Sequence, residues 1–393
     1  MRPPVASVHF GVQHSHELAR ALHQGGMLSC FVTSVNGAAA WFPEWLRESL
    51  RSRKIDGIPG SLVTTIPYLE ALIAVANPLL GPRFRLRLIY AGLALFDRLA
   101  SARALASNPR VVVGYENNCR HTFRRAKAAG ALCVLDAASI HHSAQSVRPD
   151  DADAGFRARI DEGKDEEIRL ADHIVVLSTY ARDTYAAAGV SIERITVIPP
   201  GVRQLDAVRA PPQASRSGIH FLFVGNVKYA KGIDLLLQAF ERFDVPEKRL
   251  TIVGSNEEPE FLAKALPGGV EYLGKLGREA LAEAYARADV LVSPSRADGF
   301  GFVVAEAMSA GLPVIVSSAT GAKDLVTEGA TGWIFPAGNE IALLDAMKLA
   351  AGRKHDLRTM GAHGRQTVAG LTWDAYGERI RTLFRRLLEA SPS

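Results

Sequence analysis

Residues 290–334 read VLVSPSRADGFGFVVAEAMSAGLPVIVSSATGAKDLVTEGATGWI. Val290–Ser293 has the composition of a short buried strand, and a loop containing Asp298-Gly299-Phe300-Gly301 follows it. Val303–Ala310 carries a helical run, and Pro313–Val316 and Gly332–Phe335 return as strands. Strand, glycine loop, helix and strand in this order is the repeating unit of an open parallel α/β sheet. Two glycines at the mouth of a helix let backbone N–H groups approach an anion closely. The helix dipole favours negative charge at that end, so the loop can hold a diphosphate without a metal.

Working outward, the same alternation covers most of the chain. On the amino-terminal side the strand candidates are Val5–Phe10, Leu28–Thr33, Val111–Tyr115, Leu132–Asp136, Ile174–Leu177 and Ile195–Ile198. His16–Gln24 reads as a helix stopped by Gly25-Gly26. Apolar strands of this length, separated by helices, indicate a sheet covered on both faces. Residues 203–218 (RQLDAVRAPPQASRSG) are polar and aperiodic, a linker. The alternation restarts with strand Ile219–Val224, helix Asp234–Phe243, strands Leu250–Val253 and Val270–Leu273, and helix Glu279–Arg287. The tail is helical through Leu343–Ala350, Leu357–Ala369 and Trp373–Glu389. The expected architecture is two Rossmann-like α/β domains, residues 1–202 and 219–371, facing each other across a cleft. Residues 372–393 form a terminal helix able to cross back to the first domain. Ligands in such sheets bind beyond the carboxyl ends of the strands.

Composition sets outer limits. With 393 residues, 48% of them apolar, 34 Gly and 20 Pro, the chain can bury two cores and is neither fibrous nor disordered. A formal charge of +5 permits anionic ligands without arguing for nucleic acid. Cys30, Cys119 and Cys133 show neither CxxC nor zinc spacing, which favours a reducing cytoplasm. Met1-Arg2-Pro3-Pro4 leads directly into the first strand, leaving no room for a signal peptide, and no apolar run approaches the roughly 20 residues of a spanning helix. Residues 41–106 interrupt the alternation and read as an insertion. They carry Arg47, Arg51, Arg53, Lys54, Arg83, Arg85 and Arg87, either a solvated face or a patch for anionic lipid or a polyanionic substrate.

The run from Val290 resembles the donor site of the retaining glycosyltransferases of family 4, the glycosyl transferases group 1 domain, which have the GT-B fold. Their pattern is two acids separated by seven residues, in a context like E-G-F-G-x-x-x-x-E-A-M-A-x-G-x-P-V-I. Here it reads Asp298-Gly299-Phe300-Gly301-Phe302 and onward to Glu306, with Asp in place of the usual first Glu. Val224-Gly225-Asn226-Val227-Lys228-Tyr229-Ala230-Lys231-Gly232 is similar to the family's V-G-R-x-x-x-x-K-G. Lys231 is in place, Asn226 replaces the Arg, and Lys228 can supply the missing charge if its loop turns inward. Glu162–Asp172 and Ile195–Val202 also follow the family's spacing, although Arg203 stands where Asp is usual. VLDAASIHH (134–142) is similar to the strand that delivers a histidine to the transferred sugar, which His141 or His142 fits. Gly11 and His14 occupy the place of a glycine-rich loop beside the acceptor.

The resemblance implies transfer of a sugar from a UDP- or GDP-type nucleoside diphosphate sugar to a glycan, a lipid-linked sugar or a small molecule, with retention and without a metal or other cofactor. Lys231 then neutralises the diphosphate, Asp298 reads sugar hydroxyls and Glu306 holds the ribose. The segment 272–276, ending at Leu276, meets the base. The location expected is cytoplasmic, with the Arg cluster as a peripheral contact to an anionic membrane face. Asn226, Asp298 and Arg203 leave open a non-catalytic protein that binds a nucleotide or glycan. A nucleotide-sugar hydrolase or epimerase of the same fold is a third reading. Asp151-Ala152-Asp153 has the D-x-D form of metal-dependent transferases but lies in a charged loop, and no nicotinamide, P-loop or GxSxG motif is present.

Overall fold

The computed structural model describes residues 3–11, 14–34, 55–67, 81–145, 154–205, 218–263 and 265–390. The first sheet contains β1 (Val5–His9), β2 (Leu28–Thr33), β3 (Val63–Thr65), β4 (Val111–Tyr115), β5 (Leu132–Ala137), β6 (His173–Val176) and β7 (Ile195–Val197). Its order is β3-β2-β1-β4-β5-β6-β7, with every pairing parallel. The second contains β8 (His220–Val224), β9 (Arg249–Val253), β10 (Val270–Gly274), β11 (Val290–Ser293), β12 (Val314–Ser317) and β13 (Gly332–Phe335). It runs β10-β9-β8-β11-β12-β13, also parallel throughout. β1, β4, β11 and β12 are buried at every residue, which explains their unbroken apolar character.

Helices cover both faces of each sheet. Around the first lie α1 (Ser15–Gln24), α2 (Pro82–Leu105), α3 (Arg120–Ala128), α4 (Ala154–Leu170) and α5 (Thr179–Ala187). Around the second lie α6 (Ile233–Arg242), α7 (Arg278–Arg287), α8 (Phe302–Ser309), α9 (Glu340–Gly352) and α10 (Leu357–Val368). The last helix, α11 (Trp373–Ala390), belongs to the first core. Its Tyr376, Ile380, Leu383 and Phe384, at helical spacing, are buried with Leu18, Leu22 and Phe31.

Residues 41–106 differ from the insertion expected. β3 adds an edge strand beside β2, and α2 is the crossover that carries the chain to β4. Phe96, Ala100 and Ala104 of α2 close over Ala6, Val8 and Val32. Exposed apolar residues on the same helix, Phe84, Leu95 and Leu99, hid the period of this narrow stripe from the sequence. Of the basic cluster, Arg47, Arg51, Arg53 and Lys54 lie outside the described residues, as do residues 206–217 of the linker and Asp151-Ala152-Asp153. Among the described residues no helix is long and apolar enough to cross a membrane.

Strand order reverses between β1 and β4 in one sheet and between β8 and β11 in the other. Loops leaving the carboxyl ends at such points diverge and open a crevice. The two crevices meet. Ser178 at the head of α5 donates from Oγ to the Gly299 carbonyl at 2.7 Å, and Thr179 donates from N and Oγ1 to Asp324 at 2.7 and 2.6 Å.

Candidate functional site

On the second domain the two sequence motifs come together. The Gly225–Gly232 loop leaves β8, the Ser293–Gly301 loop leaves β11, and Lys231 Nζ donates to Asp298 Oδ2 at 2.5 Å. Arg296 locks the two loops to each other. Its guanidinium forms a bidentate pair with Asp234 at 2.7 Å for both bonds, donates to the Tyr229 carbonyl and lies 3.8 Å from the centre of the Tyr229 ring. Sequence reading passed over Arg296, although it stands directly in the decisive run.

Within the loop, Asp298 Oδ1 accepts from the Phe300 amide at 3.3 Å. The Phe300 side chain is buried in the core, so only its backbone remains for a ligand, whereas Phe302 is exposed. Gly301 begins α8 at φ +82°, a conformation that suits glycine. Gly299 is required for a different reason: a Cβ there would lie 2.5 Å from the Ala138 carbonyl oxygen and 3.0 Å from Ser139 Cα in the opposite domain.

Glu306 sits on the inner side of α8. Burial pushes its carboxyl above the usual range, opposed by the positive charge of Arg203 and by the Tyr285 hydroxyl 3.3 Å from Oε2. Arg203, the departure that spacing alone could not explain, is thus the cation facing this acid. Asn226 and Lys228 share one partner, Glu257. Asn226 donates to Glu257 Oε1, and Lys228 pairs with Glu257 Oε2 at 3.0 Å. Gly225 holds the turn by donating to the Val253 carbonyl at 2.8 Å. Leu276, in the loop between β10 and α7, packs its side chain against the core.

Across the cleft, His14 at the start of α1 donates from Nε2 to Asp136 Oδ1 on β5 at 2.9 Å, both fully buried. Burial opposes a charge on His14, but the Asp136 carboxylate and its hydrogen bond outweigh that, so its pKa is raised. His9 behaves oppositely: desolvation, with His14 beside it, lowers it to about 3. Its Nδ1 bonds the Gly11 carbonyl at 2.7 Å and its ring meets Tyr115 edge-on. Val12 and Gln13, between Gly11 and His14, lie outside the described residues.

His141 and His142 follow β5 as expected but turn toward α4. Their Nε2 atoms lie 3.8 and 3.3 Å from Asp165 Oδ1, and the ring centres are 4.1 Å apart with the planes tilted by 33°. Desolvation, then His142, lowers the pKa of His141. The residues of this loop closest to Gly299 are instead Ala138 and Ser139. Ser139 Oγ donates to Glu116 Oε1 at 2.6 Å, a carboxylate that the sequence reading missed at the end of β4. Among the described residues, His141, His142 and Asp165 are the one group of three with metal-capable atoms within 4.8 Å of one another.

Two parallel Rossmann-like sheets with a shared crevice define the GT-B class, and solved structures of that class match the chain end to end. Sucrose-phosphate synthase from Thermosynechococcus elongatus superposes with a TM-score of 0.67 at 21% identity, covering 99% of this chain and 100% of that one. Anabaena HepE, solved in complex with UDP, gives 0.65 at 15% identity over 98% and 100%. More particularly, residues 207–367 match the family described as Glycosyl transferases group 1. The sulfoquinovosyl transferase SQD2 of Arabidopsis thaliana is 30% identical over 164 residues, 41% of this chain and 32% of the relative. The GDP-mannose-dependent alpha-mannosyltransferase of Mycobacterium tuberculosis is 33% identical over 216 residues, 52% and 54% of the two chains. These matches span about a third to a half of the length of the curated relatives.

Proposed function

We propose that the protein is a retaining family 4 glycosyltransferase, moving a sugar from a UDP- or GDP-linked donor to an acceptor hydroxyl without a metal. The observation that carries this reading is the Lys231–Asp298 pair at the strand-order reversal of the second sheet, with Glu306 one helix behind. A donor diphosphate entering here takes Lys231 as its counter-ion and amides of the glycine loop as donors. Asp298, released from Lys231, accepts from a sugar hydroxyl, and Glu306 accepts from the ribose. The C1–O bond to the diphosphate breaks as the acceptor oxygen bonds to C1 on the same face, and the acceptor proton passes to the leaving phosphate oxygen. The groups fixed around the diphosphate stabilise the charge that develops there. The 2.5 Å ion pair and the bidentate Arg296 clamp hold these groups before any ligand arrives.

The test is mass spectrometry of a panel of nucleoside diphosphate sugars in chelator, with glycan and lipid-linked acceptors. Consumption of one donor with a glycosylated product supports the reading. Donor loss without an acceptor indicates a hydrolase, and binding without any turnover indicates a non-catalytic protein.

A further inference from the structure

The loop after β5 brings two adjacent histidines to one aspartate. Successive side chains of an extended segment point to opposite sides. Here the short 3-10 turn His142–Ala144 sets both imidazoles on one side, and Asp165 of α4 faces them. Neither contact with the acid is an ordinary hydrogen bond. At 3.3 Å for His142 and 3.8 Å for His141, both exceed the span of about 2.7–3.2 Å for an N–H···O bond. An ion pair accounts for one ring at most, because two imidazolium charges on rings 4.1 Å apart repel each other.

The spacing is that of a coordination shell. Zinc bonded at about 2.0–2.2 Å in a tetrahedron sets its ligand atoms about 3.4 Å apart. The His142–Asp165 separation of 3.3 Å already has this value, and that of His141, 3.8 Å, reaches it with a shift of about 0.4 Å. The ligand atoms of all three residues lie within 4.8 Å of one another.

The outer ring nitrogens are compatible with such a role. Ser143 Oγ lies 2.8 Å from His141 Nδ1 and can accept its proton, the bond that orients a metal-bound imidazole and leaves Nε2 its lone pair. The longer bond from the Ser143 amide to the same nitrogen, at 3.2 Å, is given up. His142 Nδ1 is buried and has no hydrogen-bond partner, so no bond fixes which of its nitrogens carries the proton. The two imidazoles are sheltered, with side chains 7% and 11% exposed, whereas Asp165 at 52% leaves a way in for an ion.

We propose that His141, His142 and Asp165 bind a divalent transition ion of the zinc kind, with solvent as the fourth ligand. Two imidazoles and a carboxylate suit zinc, whereas magnesium and calcium take oxygen ligands. The ion ties the loop after β5 to α4. Ala138 and Ser139 of that loop abut Gly299, so it also steadies the wall of the cleft that meets the donor loop. The sugar transfer proposed above does not use this ion, and the two readings stand or fall separately.

The test uses the untagged full chain, stripped with chelator, and zinc in competition with a chromophoric chelator. The unaltered protein should bind one equivalent with micromolar or tighter affinity, and millimolar magnesium should not displace it. His142→Ala and Asp165→Asn should each weaken binding at least tenfold. His355→Ala, which removes an exposed histidine 3.2 Å from Asp356, should leave binding unchanged. Cobalt in place of zinc should give the visible absorption of a four-coordinate site, lost in Asp165→Asn. Circular dichroism checks each fold; should His142→Ala misfold, Asp165→Asn, altered at a half-exposed side chain, decides alone. Absence of stoichiometric zinc binding, or zinc affinity unchanged in Asp165→Asn, overturns the proposal.

Discussion

Gly299→Ala isolates the contact that brings the two domains together at the donor loop. The added Cβ would stand 2.5 Å from the Ala138 carbonyl oxygen, where ordinary contact begins near 3.4 Å. Both neighbours are backbone, so the loop has to retreat by about 0.9 Å rather than displace a flexible side chain. A retreat of that size stretches the 2.7 Å Ser178–Gly299 bond to about 3.6 Å, beyond hydrogen-bond range. The net loss in domain contact is on the order of 1 kcal/mol. The catalytic cost is larger, because a misplacement of roughly 1 Å can cost about 100-fold in rate. Steady-state turnover of the donor should therefore fall about 10- to 100-fold. Calorimetric affinity for the nucleoside diphosphate should fall by clearly less than turnover, since Lys231 and Glu306 keep their places and only the loop amides move. Turnover at the unaltered rate would refute the argument that Gly299 serves domain approach. Equal losses in turnover and affinity would refute it too, since weaker donor binding alone would then account for the effect.

Glu306→Gln should reduce nucleoside diphosphate affinity and lower turnover by about 100-fold or more with the fold intact by circular dichroism, whereas Tyr285→Phe should change affinity by no more than a few-fold. Glu167, pushed up to about 7 chiefly by burial, makes a pH-dependent contribution. The folded chain holds this proton between about pH 4.5 and 7 while the unfolded chain releases it, so stability falls as pH rises through that window. Urea unfolding at pH 5 and 7.5 should show the unaltered protein losing up to about 3 kcal/mol more than Glu167→Gln. His14 works through its raised pKa: its stabilisation is complete below about pH 6.5 and is lost as pH rises through the folded value. The stability gap between the unaltered protein and His14→Gln should accordingly be widest near pH 6 and narrow in alkali.

Much of the fold was legible because buried parallel strands write themselves as apolar runs. Among the described residues, twelve of thirteen strands lie within a residue or so of where the sequence puts them; the exception, β3, is a three-residue edge strand with only half-buried side chains. α2 was missed because apolar side chains, Phe84, Leu95 and Leu99 among them, also stand on its exposed face and blur the period of the packed stripe. The Lys231 and Asp298 motifs come together because both loops leave neighbouring strands of one sheet, a placement that the alternation of strands and helices already implies. Asp136, Glu116, Ser139 and the Arg203–Glu306 proximity depend on pairing between segments far apart in sequence, which no local pattern encodes. The partner of Lys228 was hidden for the same reason: Glu257 comes from the loop after β9.

The central claim is that Lys231, the Asp298–Gly301 loop and Glu306 form a nucleoside diphosphate site. Calorimetric titration of UDP and GDP in chelator, on the unaltered protein and on Lys231→Ala, tests it most directly. The account predicts that one of the two nucleotides binds without metal and that Lys231→Ala weakens it at least tenfold, the loss of one charge-assisted contact. Failure of both to bind, or equal affinity in the variant, would contradict it.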